Sequence, residues 1–93
     1  MRDMVSVHFT ANLRRHVDCP EMQVEGATVR DALDAYFAVH PTVRSYILDE
    51  QGAVRRHVAI FANGAQITDP ATLSDPVEDG SEIYVMQALS GGS

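Results

Sequence analysis

The sequence holds no tryptophan and one cysteine, Cys19, and aromatic residues make up only 6% of its 93 residues. A single cysteine excludes an intramolecular disulfide and a cysteine-built zinc site, so a packed core must hold the chain together. No apolar run approaches the roughly 20 residues that cross a bilayer. The N-terminal stretch turns polar at Ser6 and His8, which breaks the apolar core a secretory signal needs. A cytoplasmic location is the resulting expectation, with no membrane partner. Basic residues are also scarce: seven against thirteen acidic ones give a formal charge of −6. That charge repels nucleic-acid phosphates and anionic lipid, and favours a basic or partly basic protein partner. The clusters Arg14-Arg15-His16 and Arg55-Arg56-His57 run against the balance. Without interleaved aromatics they read as solvated loop charge, not as a nucleic-acid surface.

What is present is an ordinary globular composition, 45% apolar and 22% charged, at a length that allows one domain with one modest core. Residues Met4 to Thr10 alternate, with Val5, Val7 and Phe9 on one face, as in a half-buried strand. A polar, turn-prone stretch from Asn12 to Pro20 leads to a second alternating segment, Met22-Gln23-Val24, predicted to hairpin with the first. Thr28-Val29-Arg30-Asp31 has the form of a capping box, after which Val29, Ala32, Leu33, Tyr36 and Phe37 recur at helical spacing. His40-Pro41 ends that helix. Val43, Tyr46 and Ile47 predict a second short helical turn, and Asp49 to Gly52 a turn. His57 to Ala62 is a nearly continuous apolar run, Val58-Ala59-Ile60-Phe61-Ala62, suited to a central strand covered on at least part of both faces. Asn63-Gly64 supplies the positive φ pair of a tight hairpin, Ala65-Gln66-Ile67 pairs back, and Ser81 to Gln87 is the last strand. Strands on one side and one principal helix make a two-layer α+β domain, compatible with a β-grasp sheet in which the terminal strands lie parallel at the centre.

Beyond that strand the chain runs on as Ala88-Leu89-Ser90-Gly91-Gly92-Ser93. Six extended residues reach roughly 20 Å. Paired glycines let a narrow channel close around the backbone, although Gly-Gly-Ser is equally a flexible-linker composition. The expected division is residues 1–87 as the domain and 88–93 as a flexible tail. His8, His16, His40 and His57 are scattered without ligand spacing, so no metal site is expected, and no nucleophile, base and orienter assemble into a catalytic group. Tyr84 and Met86, near the base of the tail, form a partner-docking surface if their face is uncovered, or pack under a loop or a dimer contact. Asp69, Asp75, Glu78, Asp79 and Glu82 precede the tail and read as acid near its exit, steering a basic partner or serving solubility.

The segment Leu48 to Gly64, with His57-Val58-Ala59-Ile60-Phe61-Ala62-Asn63-Gly64, resembles the middle of MoaD/ThiS-family ubiquitin-like sulfur carriers. So does Val77-Glu78-Asp79-Gly80-Ser81-Glu82-Ile83-Tyr84-Val85 before a terminal Gly-Gly. With Phe9 to Arg15 and Thr28 to Leu33 the resemblance spans most of the chain, and the longer Pro41 to Val54 insertion is similar to the carriers of cysteine biosynthesis.

The resemblance implies a ubiquitin-like β-grasp fold: a mixed sheet of four to five strands on one main helix. It also implies a carrier rather than an enzyme. The Gly92 carboxylate is adenylated by a ubiquitin-activating-like adenylyltransferase that uses ATP, and sulfide or a persulfide displaces AMP to leave a thiocarboxylate. Leu89, Ser90, Gly91 and Gly92 then enter a sulfur-accepting enzyme. The carrier itself binds no cofactor.

Ser93 departs from the family pattern, since only a terminal glycine carboxylate can be adenylated. Its removal, by a metal-dependent peptidase of the kind that trims some relatives, is the implied route. The tail also lacks the proline and small residues usual before Gly-Gly. Two alternatives stay open: a protein modifier joined to targets through Gly92, and a non-conjugated β-grasp interaction module.

Overall fold

The computed structural model describes residues 3–87, except His16 and the side chain of Asn12. Alternation forms the first strand, β1 (Met4–Phe9), with Val5, Val7 and Phe9 buried. β2 (Met22–Glu25) pairs antiparallel with it, from Met4 opposite Glu25 to Val7 opposite Met22. Between them, where a turn-prone loop was predicted, lies a single-turn helix, α1 (Ala11–Arg14). It has no acidic residue in its first turn and no side-chain cap, so local signals do not announce it. Burial of Leu13 and the Arg14 amide's bond to the Thr10 carbonyl hold it.

The main helix, α2 (Val29–Val39), starts where Thr28 Oγ accepts from the Asp31 amide at 3.1 Å, and Asp31 adds negative charge at the positive end of the helix. Its stripe of Val29, Ala32, Leu33, Tyr36 and Phe37 is buried. His40 caps it, and Pro41 opens the predicted second turn, which extends to a short helix, α3 (Pro41–Ile47). Val43 and Ile47 of that helix are buried, whereas Tyr46 faces out. The predicted turn follows: Asp49 Oδ1 accepts from the amides of Gln51 and Ala53, and Gly52 has φ of +84°.

β3 (Val58–Ala62) buries Val58 and Ile60, and leaves Ala59 and Phe61 half-buried on the other face. Asn63 and Gly64, at φ of +53° and +87°, turn the chain into β4 (Ala65–Gln66). A loop organised by Asp69 and Asp75 leads to β5 (Glu82–Gln87).

The sheet order is β2-β1-β5-β3-β4, with β1 and β5 parallel at the centre and the other pairs antiparallel. This is the predicted β-grasp arrangement. α2 covers one face and closes the core with the inward residues of β1, β5 and β3. The approach is close at Gly26, where a Cβ would lie 2.6 Å from the Ala32 backbone nitrogen. No helix among the described residues is long and apolar enough to cross a membrane. The expected tail, 88–93, lies outside the described residues.

Candidate functional site

Two regions adjoin the point where the chain passes beyond β5. The first is the sheet face turned away from α2. Along β5, Ile83 and Val85 point into the core, which sends Glu82, Tyr84 and Met86 outward by the period of two. Tyr84 keeps 40% of its surface exposed and Met86 is half-buried. Cross-strand register sets Phe61 opposite Tyr84 and Ala59 opposite Met86, so an apolar strip runs along this face toward the end of β5.

On the other side of Tyr84 stands His8 of β1, its ring stacked on the phenol with centroids 4.5 Å apart. His8 Nδ1 lies 2.9 Å from Glu21 Oε1, and Nε2 lies 3.1 Å from Glu82 Oε1. Both ring nitrogens are therefore within hydrogen-bond distance of a carboxylate. Thus Tyr84 and Met86 share the face expected of them. His8, Ala59 and Phe61 join them, which sequence reading missed. The signal was available in the outward phase of β1 and β3, but the partners across the sheet depend on strand order.

The second region is the root of the tail. Val58 at the start of β3 stands opposite Gln87, and the Thr10 amide, just past β1, donates to the Val85 carbonyl at 3.2 Å. The expectation of acid at the exit is corrected here. Glu82 begins β5, Glu78 and Asp79 precede it, and the Asp79 carboxylate accepts from the Met4 amide at the start of β1. Asp69 and Asp75 sit in the loop beside the N-terminus of α2, where the Asp75 carbonyl accepts from the Val29 amide. A six-residue strand separates Glu82 from the exit, about 17 Å at the usual rise. Leu89, Ser90, Gly91, Gly92 and Ser93 lie outside the described residues.

Among the described residues, the lone thiol is not set up as a nucleophile. Cys19 is buried, and burial pushes its thiol up from the ordinary value, the opposite of activation. Tyr36 donates its hydroxyl to the Pro20 carbonyl at 2.7 Å, and burial raises it as well. Among the described residues, no three His, Cys, Asp or Glu side chains are grouped so as to hold a metal.

Comparison with known proteins gives this geometry its context. The small archaeal modifier protein 1 of Haloferax volcanii is 33% identical over 72 residues, covering 76% of this chain and 78% of that protein. The solution structure of its namesake from Methanosarcina acetivorans superposes with a TM-score of 0.78 at 26% identity, over 99% of each chain. CysO in the Amycolatopsis orientalis BexX/CysO complex shares the fold, with a TM-score of 0.78 at 24% identity over 95% of this chain and 99% of that one. The profile of the ThiS family matches residues 7–92, nearly the whole length from mid-β1 to the second glycine. The chain belongs to the ThiS family, whose members are small ubiquitin-like carrier and modifier proteins rather than enzymes.

Proposed function

We propose that this protein carries sulfur as a thiocarboxylate on Gly92 and donates it in cofactor, cysteine or other metabolite biosynthesis. The observation that carries this reading is that the family match runs to Gly92 and stops there. In the sequence Gly92 is held in a peptide bond to Ser93, so that bond is cut first, and a metal-dependent peptidase suits the task. The freed carboxylate attacks the α-phosphate of ATP in an adenylyltransferase and releases pyrophosphate. Sulfide sulfur then attacks the acyl carbon, and AMP leaves as the thiocarboxylate forms. Adenylation is needed because a carboxylate is a poor electrophile, and the energy comes from the nucleotide. The carrier supplies only a chain end and surfaces that position it, so it needs no bound cofactor.

In this reading the strip of Tyr84, Met86 and Phe61 docks the adenylyltransferase, and Leu89 to Gly92 thread its active site. The BexX/CysO complex supports the idea that a protein of this fold works docked on another. The test compares, in the native host, the full chain, a chain ending at Gly92 and a chain lacking Gly91 to Ser93. Thiocarboxylates are retarded in gels carrying an organomercury group. Retardation of the first two and not the third is expected, and none in any version refutes the proposal.

A second reading is favoured by one observation, the name of the 33% identical relative as a modifier: Gly92 joined to a target lysine through the same adenylate. This chain has seven arginines and no lysine. It therefore offers no side-chain amine for building chains on itself, and conjugates would carry single copies at each target lysine.

A further inference from the structure

Two basic clusters far apart in sequence lie at the same end of the sheet. Arg14 closes α1 and Arg15 follows it, directly past the end of β1. Arg55, Arg56 and His57 lead into β3, whose first residue faces Gln87. Because β1 runs parallel to β5 and β3 runs against it, both clusters fall at the end from which residues 88–93 continue. Arg14, Arg15, Arg56 and His57 are exposed. Among the described residues, the ion pairs formed involve none of them.

Arg55 is different. Its Nε donates to the Ser45 carbonyl at 2.7 Å, and it shares a shallow cleft with Asp49 and Glu50, so its charge is matched locally. Asp18, which together with Arg14 acts on the Cys19 thiol, offsets part of the remaining collar. The far end of the sheet is acidic: Asp3 and Glu25 flank the start of β1, and Glu78, Asp79 and Glu82 the start of β5. Among the described residues, Arg14, Arg15 and Arg56 thus lie at the tail root, with Asp18 and Glu21 on the same side, and five carboxylates lie at the opposite end of the sheet.

We infer that the collar of Arg14, Arg15 and Arg56 is a docking surface for an acidic protein surface, namely the carboxylate-bearing rim of the site that receives the residues beyond Gln87. The inference rests on the carrier reading for that site, and deepens it. Guanidinium forks match carboxylates in geometry and stay charged at every physiological pH. A nucleotide or nucleic acid meets the same collar, but the acidic remainder of the molecule repels a polyphosphate, and neither cluster holds a Phe, Tyr or Trp in its sequence to stack a base. A protein rim avoids both penalties, since it can be acidic only opposite the collar. The separation of charge then orients the carrier before contact, tail root first, which raises the association rate and makes it sensitive to salt.

The test titrates the full-length, isotope-labelled protein with poly-L-glutamate at low ionic strength, following amide shifts, with ATP and a single-stranded oligonucleotide as parallel titrants. The expected result is saturable shifts at residues 14–15 and 55–58 with poly-L-glutamate, abolished by salt. Three exposed pairs of this kind predict about tenfold weaker binding in Arg14→Gln/Arg15→Gln/Arg56→Gln. Gln23→Glu/Gln66→Glu/Ala71→Glu reaches the same net charge at exposed positions away from the collar, and binding there is expected to stay within about twofold. Shifts absent or spread over the surface, equal loss in both variants, or tighter binding of ATP or the oligonucleotide would each overturn the inference.

Sulfur loading in the host separates this inference from the reading it rests on. If the wild type is charged and the triple-glutamine variant is charged as fast, the collar fails and the carrier stands. If neither carries sulfur while poly-L-glutamate binds as described, the carrier reading fails and the collar stands.

Discussion

His8 and Tyr84 stand side by side on the two parallel central strands, their rings stacked and only 13° from parallel. Glu21 and Glu82 hold the imidazole from either side, so the histidine braces the tyrosine on this face. Removing the brace by His8→Ala is expected to cost about 1 kcal/mol of stability, the usual worth of an aromatic pair. The Tyr84→Ala variant should unfold at a similar denaturant concentration but slow sulfur loading of Gly92 markedly more. Denaturation curves and organomercury gels read the two effects separately. Unchanged loading in Tyr84→Ala would remove this face from partner docking.

Asn63 joins the two halves of the sheet. It turns the chain at φ of +53°, its Oδ1 accepts from the Glu82 amide at 2.9 Å, and its Nδ2 donates to Ser81 Oγ at 3.2 Å. Asn63→Ala loses both bonds and keeps the strained backbone, for an expected loss of about 1–3 kcal/mol. Asn63→Gly restores the backbone freedom alone, so its urea midpoint should fall between those of Asn63→Ala and the wild type.

Gly26 and Gly80 separate two reasons for glycine. A Cβ on Gly26 would meet Ala32 N at 2.6 Å and Asp31 C at 3.1 Å, all backbone of α2, whereas one on Gly80 meets nothing within 4 Å but sits at φ of +86°. Gly80→Ala should cost about 1–2 kcal/mol, the left-handed penalty alone. Gly26→Ala forces the helix off the sheet, with an expected loss of about 1–3 kcal/mol and altered amide shifts across the first turn of α2. Such shifts should be absent in Gly80→Ala.

The loop before β5 makes stability depend on acid. The Ser74 and Thr72 hydroxyls and the Thr72 amide hold the Asp69 carboxyl well below the ordinary 3.8. The Thr68 amide, with the Thr68 hydroxyl and the Asp69 amide, lowers Asp75. Carboxylates depressed in the folded state stabilise it fully above their unfolded value and lose that contribution as pH falls through the folded one. Stability is therefore expected to decline from the unfolded value near 3.8 downward. Asp69→Asn/Asp75→Asn should be less stable at neutral pH and show a flatter acid limb when urea midpoints are followed between about pH 6 and about pH 2. A parallel acid limb would contradict the assignment.

Much of this architecture is legible in the residues themselves. The alternation of Val5, Val7 and Phe9, the Thr28 cap and the Asn63-Gly64 turn each rest on local chemistry, and each appears where that chemistry puts it. What local chemistry misses is set by contacts distant in sequence. α1 has neither cap nor first-turn acid and exists because Leu13 finds the core. Glu78, Asp79 and Glu82 are close to the tail in sequence but lie at the opposite end of an extended strand. Arg14 comes to the tail root because β1 is parallel to β5, and Arg56 because β3 is antiparallel to it, pairings that no local pattern dictates. The docking candidates Tyr84 and Met86 are foreseeable from their phase, but the His8 brace is visible only once the strand order is known.

The central claim is sulfur on Gly92, and the direct measurement is the intact mass of the protein recovered from its native host without tags, with fragmentation that isolates the C-terminal peptide. The account predicts a population that ends at Gly92 with one oxygen of its terminal carboxylate replaced by sulfur. Protein that retains Ser93 throughout and carries no sulfur, in cells where the adenylyltransferase and the trimming peptidase are active, would contradict it.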